Sequence, residues 1–284
     1  MVRDALMAAH GWSADAIEIM PVVATGDRIQ DRALAEVGGK ALWTKELDAA
    51  LLAGEIDFAV HSMKDVETMR PQALTIAAML PRADVRDRLV GSASLEALPQ
   101  GARLGTSAPR RRAQLLALRP DLEIVLLRGN VQTRLSKLEK GEVDATLLAA
   151  AGLDRLGMHG IGINLPVTLL LPAPAQGAVG IEALAQNARV REWLAAINDH
   201  ATFACVSSER ALLAGLAGDC RSPVAALAVM DGNMISLRAE IYAPDGSHVE
   251  KGAVEFRPGT DAAFELGRAM LARADSAIRA VFSS

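Results

Sequence analysis

Residues 51–57, LLAGEID, and residues 138–144, LEKGEVD, carry the same joint: the end of an apolar helical stripe, a glycine that stops it, a glutamate, an aliphatic residue and an aspartate. Around the first copy, 41–53 (ALWTKELDAALLA) reads as an amphipathic helix ended by Gly54, and 56–60 (IDFAV) as the strand that follows. Around the second, 122–127 (LEIVLL) reads as a strand, 130–140 as a helix stopped at Gly141, and 143–149 (VDATLLA) as a strand. Nearer the amino terminus, 2–10 read as a helix and 17–24 (IEIMPVVA) as a buried strand. Strands that alternate with helices predict right-handed crossovers and mostly parallel sheets. The repeat therefore implies two similar α/β domains. A stretch rich in Pro, Asp, Arg and Ser at 80–95 and a Pro-rich one at 165–177 are the expected crossings between them, an arrangement suited to a hinged cleft.

Beyond the repeat, 202–217 read as a helix and 218–223 as a loop. Strands follow at 224–230, 234–243 and 248–257, separated by the turn signals Asp231-Gly232-Asn233 and Pro244-Asp245-Gly246. A closing helix is expected over 260–281. This is an α+β domain with a three-stranded antiparallel sheet. The expected boundaries are 1–82 with 174–198 for domain 1, 83–173 for domain 2 and 199–284 for domain 3.

Composition narrows the function. A hydrophobic fraction of 51% with 23% charge excludes a mainly disordered chain. A net charge of −4 and an aromatic content of 3% argue against a nucleic-acid partner, which needs a basic field or stacking platforms. No uncharged apolar run of about 18 residues is present, so no membrane span is expected. Met1-Val2-Arg3-Asp4 lacks a secretory pattern. The two cysteines, Cys205 and Cys220, form no CxxC pair, so free thiols, no metal and a cytoplasmic location are expected.

Chemistry should lie beyond the carboxyl ends of the strands, where open α/β sheets bind ligands. His61, Ser62, Lys64 and Asp65 follow the strand that ends near Val60. Gly105-Thr106-Ser107-Ala108-Pro109-Arg110-Arg111-Arg112 joins a strand to a helix start, where backbone N–H groups favour anions. Arg128 ends the next strand, Arg134 lies in the helix after it, and Arg155 follows the last strand of the domain. The chain holds 24 Arg against 6 Lys, and guanidinium forks grip carboxylates bidentately where ammonium groups do not. Recurrence after successive strands points to an anion-binding cleft. No P-loop is present, because Leu34 and Ala41 stand where Gly39-Lys40 would need Gly and Ser or Thr. Cys205 reads as a small core residue. Cys220, in a Gly-flanked loop beside Arg221, reads as an accessible thiol of lowered pKa. These residues alone allow a two-lobed anion-binding protein without catalysis, for which neither Asp65 nor Cys220 is needed.

Six stretches in this order resemble the porphobilinogen deaminase (hydroxymethylbilane synthase) family: GGKALWTKELDAALLAGEIDFAVHSMKDV (38–66), GTSAPRRRAQL (105–115), LRGNVQTRLSKL (127–138), AAGLDRLG (150–157), PAQGAVGIE (174–182) and ERALLAGLAGDC (209–220). The resemblance implies two periplasmic-binding-protein-like α/β domains around a cleft, plus a third domain with its antiparallel sheet. It implies a transferase of tetrapyrrole (haem) biosynthesis, which deaminates porphobilinogen and joins four molecules head to tail into hydroxymethylbilane. It implies a dipyrromethane cofactor held by a thioether to Cys220, and a monomer. Asp65 then matches the carboxylate that steadies positive charge on the pyrrole. Lys64, Ser62, Thr106, Ser107, Arg110, Arg111 and Arg128 match cofactor-binding positions, and Arg134, Arg155 and Gln176 substrate-binding ones. Lys40 and Lys45 match a loop over the cleft. The chain departs from the pattern in three places. A strand and an Arg-x-Ser stretch are expected upstream of Met1, with a true start about 15–20 residues earlier; without them weaker stability is expected, and a truncated inactive form is the alternative to the active enzyme. Ala108-Pro109 replaces Ser-Leu, and Asp219 replaces a glycine beside the thiol, which is expected to slow cofactor attachment.

Overall fold

The computed structural model describes residues 1–22 and 44–282. It contains three sheets among the described residues. Helix α1 (Val2–His10) buries Leu6 completely against the first sheet. Residues 17–22 form no strand: Ile19 is 63% exposed and Met20 51%. Pro21 removes a ladder donor from this run, and charged Glu18 splits its apolar side chains. Residues 23 and 24 of that expected strand, and 41–43 of the expected helix, lie outside the described residues. The helix itself runs as α2 (Lys45–Ala53) and ends at Gly54.

The first sheet pairs β1 (Phe58–Ser62) and β2 (Leu74–Met79) on either side of β8 (Val179–Leu184), both pairs antiparallel. The second has the order β5-β4-β6-β3-β7. Its β5 (Glu123–Val125), β4 (Arg103–Gly105) and β6 (Ala145–Ala149) are parallel. Its β3 (Asp87–Val90) is antiparallel to both β6 and β7 (Ile163–Asn164). The expectation of mostly parallel sheets is thus corrected. The reason lies in the crossings. The strand that enters each lobe from a crossing, β3 in one and β8 in the other, inserts beside the local strands in the opposite direction.

Helices α3 (Pro109–Leu118), α4 (Val131–Glu139) and α5 (Ala150–Arg155) join the strands of the second sheet, and α6 (Ala188–Ala195) follows β8. The third sheet is an antiparallel meander of β9 (Val224–Asp231), β10 (Met234–Tyr242) and β11 (Val249–Phe256). It packs on α7 (His200–Gly215) and α8 (Ala262–Arg273) through Leu212, Ile235, Leu237, Ile241 and Met270. The expected single closing helix is two. Ala274 turns extended, and the Asp275 carboxylate accepts the Ala277 N–H at 2.8 Å, which starts α9 (Ser276–Phe282).

The two crossings are bonded to each other and to the third sheet. Ala83 N–H donates to the Gly177 carbonyl at 3.2 Å. Gly177 has φ 82, and a Cβ there would lie 2.6 Å from the Ala83 oxygen, so only glycine fits this contact. Glu209 of α7 is fully buried. It accepts both Arg82 Nη groups at 2.7 and 2.9 Å, Ala175 N–H at 2.6 Å and Ala228 N–H at 2.7 Å. One carboxylate therefore ties the first crossing, the second crossing and β9. Removing one partner of a buried ion pair leaves the other charge uncompensated and costs about 3–5 kcal/mol. Glu209→Gln is expected to lower unfolding stability by about that much in urea titrations. A loss under about 1 kcal/mol would show that the clamp contributes little.

Candidate functional site

Strand β1 runs directly into a one-turn 3-10 helix, Met63–Asp65. Buried Met63 anchors that turn against Gly180 of β8, where a Cβ would sit 2.1 Å from the Met63 sulfur. The turn that follows is held from α7. Arg210 donates to the carbonyls of Val66, Glu67 and Thr68 at 3.1, 2.6 and 3.1 Å. Thr68 Oγ1 then donates to the Gly218 carbonyl at 2.9 Å, fastening the Asp65 turn to the Cys220 loop.

The opposite wall grows from β4. Thr106 prolongs the strand, since its N–H donates to Val125 and its carbonyl accepts from Leu127. The Thr106 hydroxyl accepts the Ala108 N–H at 3.2 Å, and Pro109 opens α3 with its preset φ. The first turn of α3 buries Arg110 and Arg111. Both reach Asp87, the first residue of β3: Arg110 Nη2 at 2.7 Å and Arg111 Nη2 at 2.6 Å. Gln176, from the second crossing, donates to the same carboxylate at 3.0 Å and to the Val85 carbonyl at 2.7 Å. The remaining Nη groups donate to Leu171 and Gln114 (Arg110) and to Leu147 (Arg111). Burial works against the Asp87 charge, yet the two guanidiniums hold its carboxyl well below the usual range. The forks expected to open toward a ligand are thus aimed at Asp87. Their Nε–H groups are buried without an acceptor.

The same field includes the other cations. Burial lowers the Lys64 pKa, as do Arg111 and Arg110, while Asp65 and Asp87 oppose the shift. Arg128 is buried at the end of the β5 segment. Arg134, in α4, donates through Nε to the Gly129 carbonyl at 2.8 Å. Its pKa falls to about 10 through burial and the neighbouring charges of Arg111 and Arg128, with Asp65 opposing. At neutral pH it stays cationic, and among the described residues it makes no ion pair.

Cys220 is exposed at the apex of a turn. Its thiol is pushed up to about 12 by the protein around it, then by Asp219, Asp65 and Glu67, with Arg221 opposing. The lowered pKa expected from Arg221 is therefore corrected. Three N–H donors of Arg221, one of them the backbone, are taken by the Asp219 carboxylate at 2.6–2.9 Å. Cys205 lies in the core of the third sheet, as a packing residue would.

The structure thus brings Lys64, Asp65, Arg110, Arg111, Arg128, Arg134 and Cys220 into one electrostatic neighbourhood. Ser62 is exposed at the end of β1, and Ser107 is half-buried before α3. Arg155 is exposed and donates to the Gly177 carbonyl at 3.3 Å. Lys45 is exposed at the start of α2, and Lys40 lies outside the described residues. Among the described residues no group of His, Cys, Asp and Glu is placed to hold a metal. Sequence reading missed Asp87, Arg210 and Thr68. A signal existed for the first: adjacent arginines buried in one helix turn require a counter-charge, and Asp87 opens the first strand after a crossing. The site gathers buried guanidinium charge, one carboxylate and an exposed thiol.

A family model described as porphobilinogen deaminase, dipyromethane cofactor binding domain, matches residues 1–192, and one for the porphobilinogen deaminase C-terminal domain matches residues 203–274. The chain is 58% identical over 291 residues to the porphobilinogen deaminase of Sphingopyxis alaskensis, spanning 100% of this chain and 92% of that protein. It is 54% identical over 250 residues to that of Paracoccus denitrificans, spanning 87% of this chain and 80% of that protein. Among solved structures, the periplasmic VFT2 domain of Bordetella pertussis BvgS aligns at 17% identity and a TM-score of 0.37, over 74% of this chain and 78% of that one, too slight a likeness to bear on the fold.

A thiol of raised pKa reacts in proportion to its small thiolate fraction. In the chain isolated with a free Cys220, alkylation by iodoacetamide is expected to quicken about tenfold per pH unit from 8 to 10. A plateau near the ordinary cysteine range, about 8.5, would contradict the surroundings described for this sulfur.

Proposed function

The chain belongs to the porphobilinogen deaminase family, and on that premise we propose how its own residues serve the reaction. The enzyme is a hydroxymethylbilane synthase of tetrapyrrole biosynthesis with a dipyrromethane cofactor. It deaminates porphobilinogen and joins four units into hydroxymethylbilane. The observation that carries the assignment of roles is the joining of the Asp65 turn to the Cys220 loop by the Thr68–Gly218 bond, opposite a wall of buried guanidiniums.

The residues fit the cofactor. Its acid groups need buried cationic donors, and the Nε–H groups of Arg110 and Arg111 are buried without acceptors. Cys220 is exposed and free for attachment. Bound there, dipyrromethane supplies the primer to which the pyrrole units are added. Arg110, Arg111, Arg128 and Lys64 hold its carboxylates, with Ser62, Thr106 and Ser107 as hydroxyl donors. Asp87 keeps the two adjacent arginines in place.

Arg134 and Arg155 receive the carboxylates of incoming porphobilinogen. Gln176 acts on this surface from the second crossing, through its clasp on Asp87. As ammonia leaves the substrate, positive charge spreads onto the pyrrole nitrogen. Asp65 accepts the pyrrole N–H and stabilises that charge, a kind of role that contributes about a hundred- to a thousandfold in rate.

We further propose the domain division 1–82 with 174–198, 83–173 and 199–284, since each sheet draws its strands from one of these sets. The groups named here all come from one chain, which supports a monomer acting on porphobilinogen. No described helix is long and apolar enough to cross a membrane, in keeping with action in the cytoplasm.

Asp65→Asn is expected to retain the cofactor adduct in intact-protein mass spectra and to lose at least about a hundredfold in kcat. Turnover within about threefold of the parent would exclude the electrostatic role. Cys220→Ser is expected to show no adduct at all. Arg134→Leu is expected to raise KM for porphobilinogen about tenfold or more while leaving thermal unfolding unchanged, because a charge-assisted pair contributes about 1.5–3 kcal/mol. An unaltered KM would remove Arg134 from substrate binding.

A further inference from the structure

The Cys220 turn carries its own cation, and that cation is occupied. Asp219 N–H donates to Ser222 Oγ at 3.1 Å, and Ser222 N–H donates to the Asp219 carbonyl at 3.1 Å, closing a turn with Cys220 and Arg221 at its corners. Within it the Asp219 carboxylate accepts Arg221 N–H at 2.8 Å, Nε at 2.9 Å and Nη2 at 2.6 Å. The Arg221 guanidinium is spent on its neighbour two residues back. The charged groups that act on the sulfur are Asp219 and Arg221 from its own turn, and Asp65 and Glu67 from the turn packed against it. Among these described residues three are anions, and the cation Arg221 is clasped by one of them. An active thiolate needs the opposite setting, with a free cation beside the sulfur.

We propose that Asp219 governs the reactivity of Cys220: by clasping Arg221 it withholds the loop's cation from the sulfur, which keeps the side chain a thiol that neutral alkylating agents and oxidants attack slowly. The attachment site thereby reacts readily only with a strongly electrophilic carbon delivered into the cleft. This rests on the reading of Cys220 as the attachment point. In S-alkylation the sulfur lone pair forms the S–C bond, the leaving group departs with its bonding pair, and the thiol proton passes to solvent. The supply of thiolate sets the rate with a neutral reagent, so freeing Arg221 should speed it.

The test is the rate of carbamidomethylation of Cys220 by iodoacetamide at pH 8, followed by mass spectrometry on the full chain produced without a source of porphobilinogen. Cys205 is buried and serves as the internal control. Asp219→Asn is expected to react about tenfold faster than the parent, one unit of thiol pKa being a tenfold change in thiolate. Arg221→Gln is expected to react no faster than the parent, because the Arg221 charge, which opposes the shift, is largely spent on Asp219. The double variant Asp219→Asn with Arg221→Gln is expected to lose most of the gain. A rate for Asp219→Asn within twofold of the parent overturns the proposal, and so does a double variant as fast as Asp219→Asn alone. Since alkylation reads the sulfur directly, these outcomes are separate from the mass-spectral test of whether Cys220 carries the cofactor.

Discussion

The cleft depends on a buried charge imbalance around Asp87. One carboxylate, fully shielded from solvent, faces two guanidiniums and an amide. The three acidic and basic groups leave one positive charge uncompensated, and Arg128, Arg134 and Lys64 add to it nearby. Burying like charges is costly in a low dielectric, and the downward shifts of Arg134 and Lys64 are the mark of that cost. An anionic ligand relieves it. Asp87 fixes the two arginines by their Nη groups, while their Nε–H groups are buried without an acceptor.

The same residue joins the site to the hinge. Asp87 stands just after the first crossing, and Gln176, which also grips it, lies in the second. A few residues away Arg82 reaches Glu209, whose carboxylate also holds Ala175 and Ala228. Any opening of the two lobes must therefore turn about strands pinned to the third sheet. That sheet's own helix, α7, supplies Arg210 to the Asp65 turn, while the loop beyond α7 holds Cys220. The Asp65 turn and the Cys220 loop are thus both held beside α7, while the arginine wall stands on the second sheet.

Much of this was legible in the residues. The meander 224–256 follows from alternating burial and two clear turn signals, and α2 and α4 follow from their stripes and stop glycines. Local pattern failed where pairing decides. Residues 17–22 have the composition of a strand but no partner among the described residues, and so remain exposed. Strand direction was misjudged because β3 and β8 come from crossings, and periodicity carries no information on direction. The break at Ala274–Asp275 went unseen because the apolar stripe continues through it, although an aspartate cap was there to be noticed.

The sequence alone determined the helical and extended segments, the arginine-rich joints, the two thiols and the family, because each is written in local residue order. Only the folded chain decided which charges meet. Asp87 and Arg110, Arg82 and Glu209, and Thr68 and Gly218 lie 23, 127 and 150 residues apart, and nothing in their local surroundings pairs them. The state of Cys220 likewise reversed once the fold was known. Coulomb interactions and desolvation depend on distance in space and on excluded water, and the chain acquires both only when its distant segments pack.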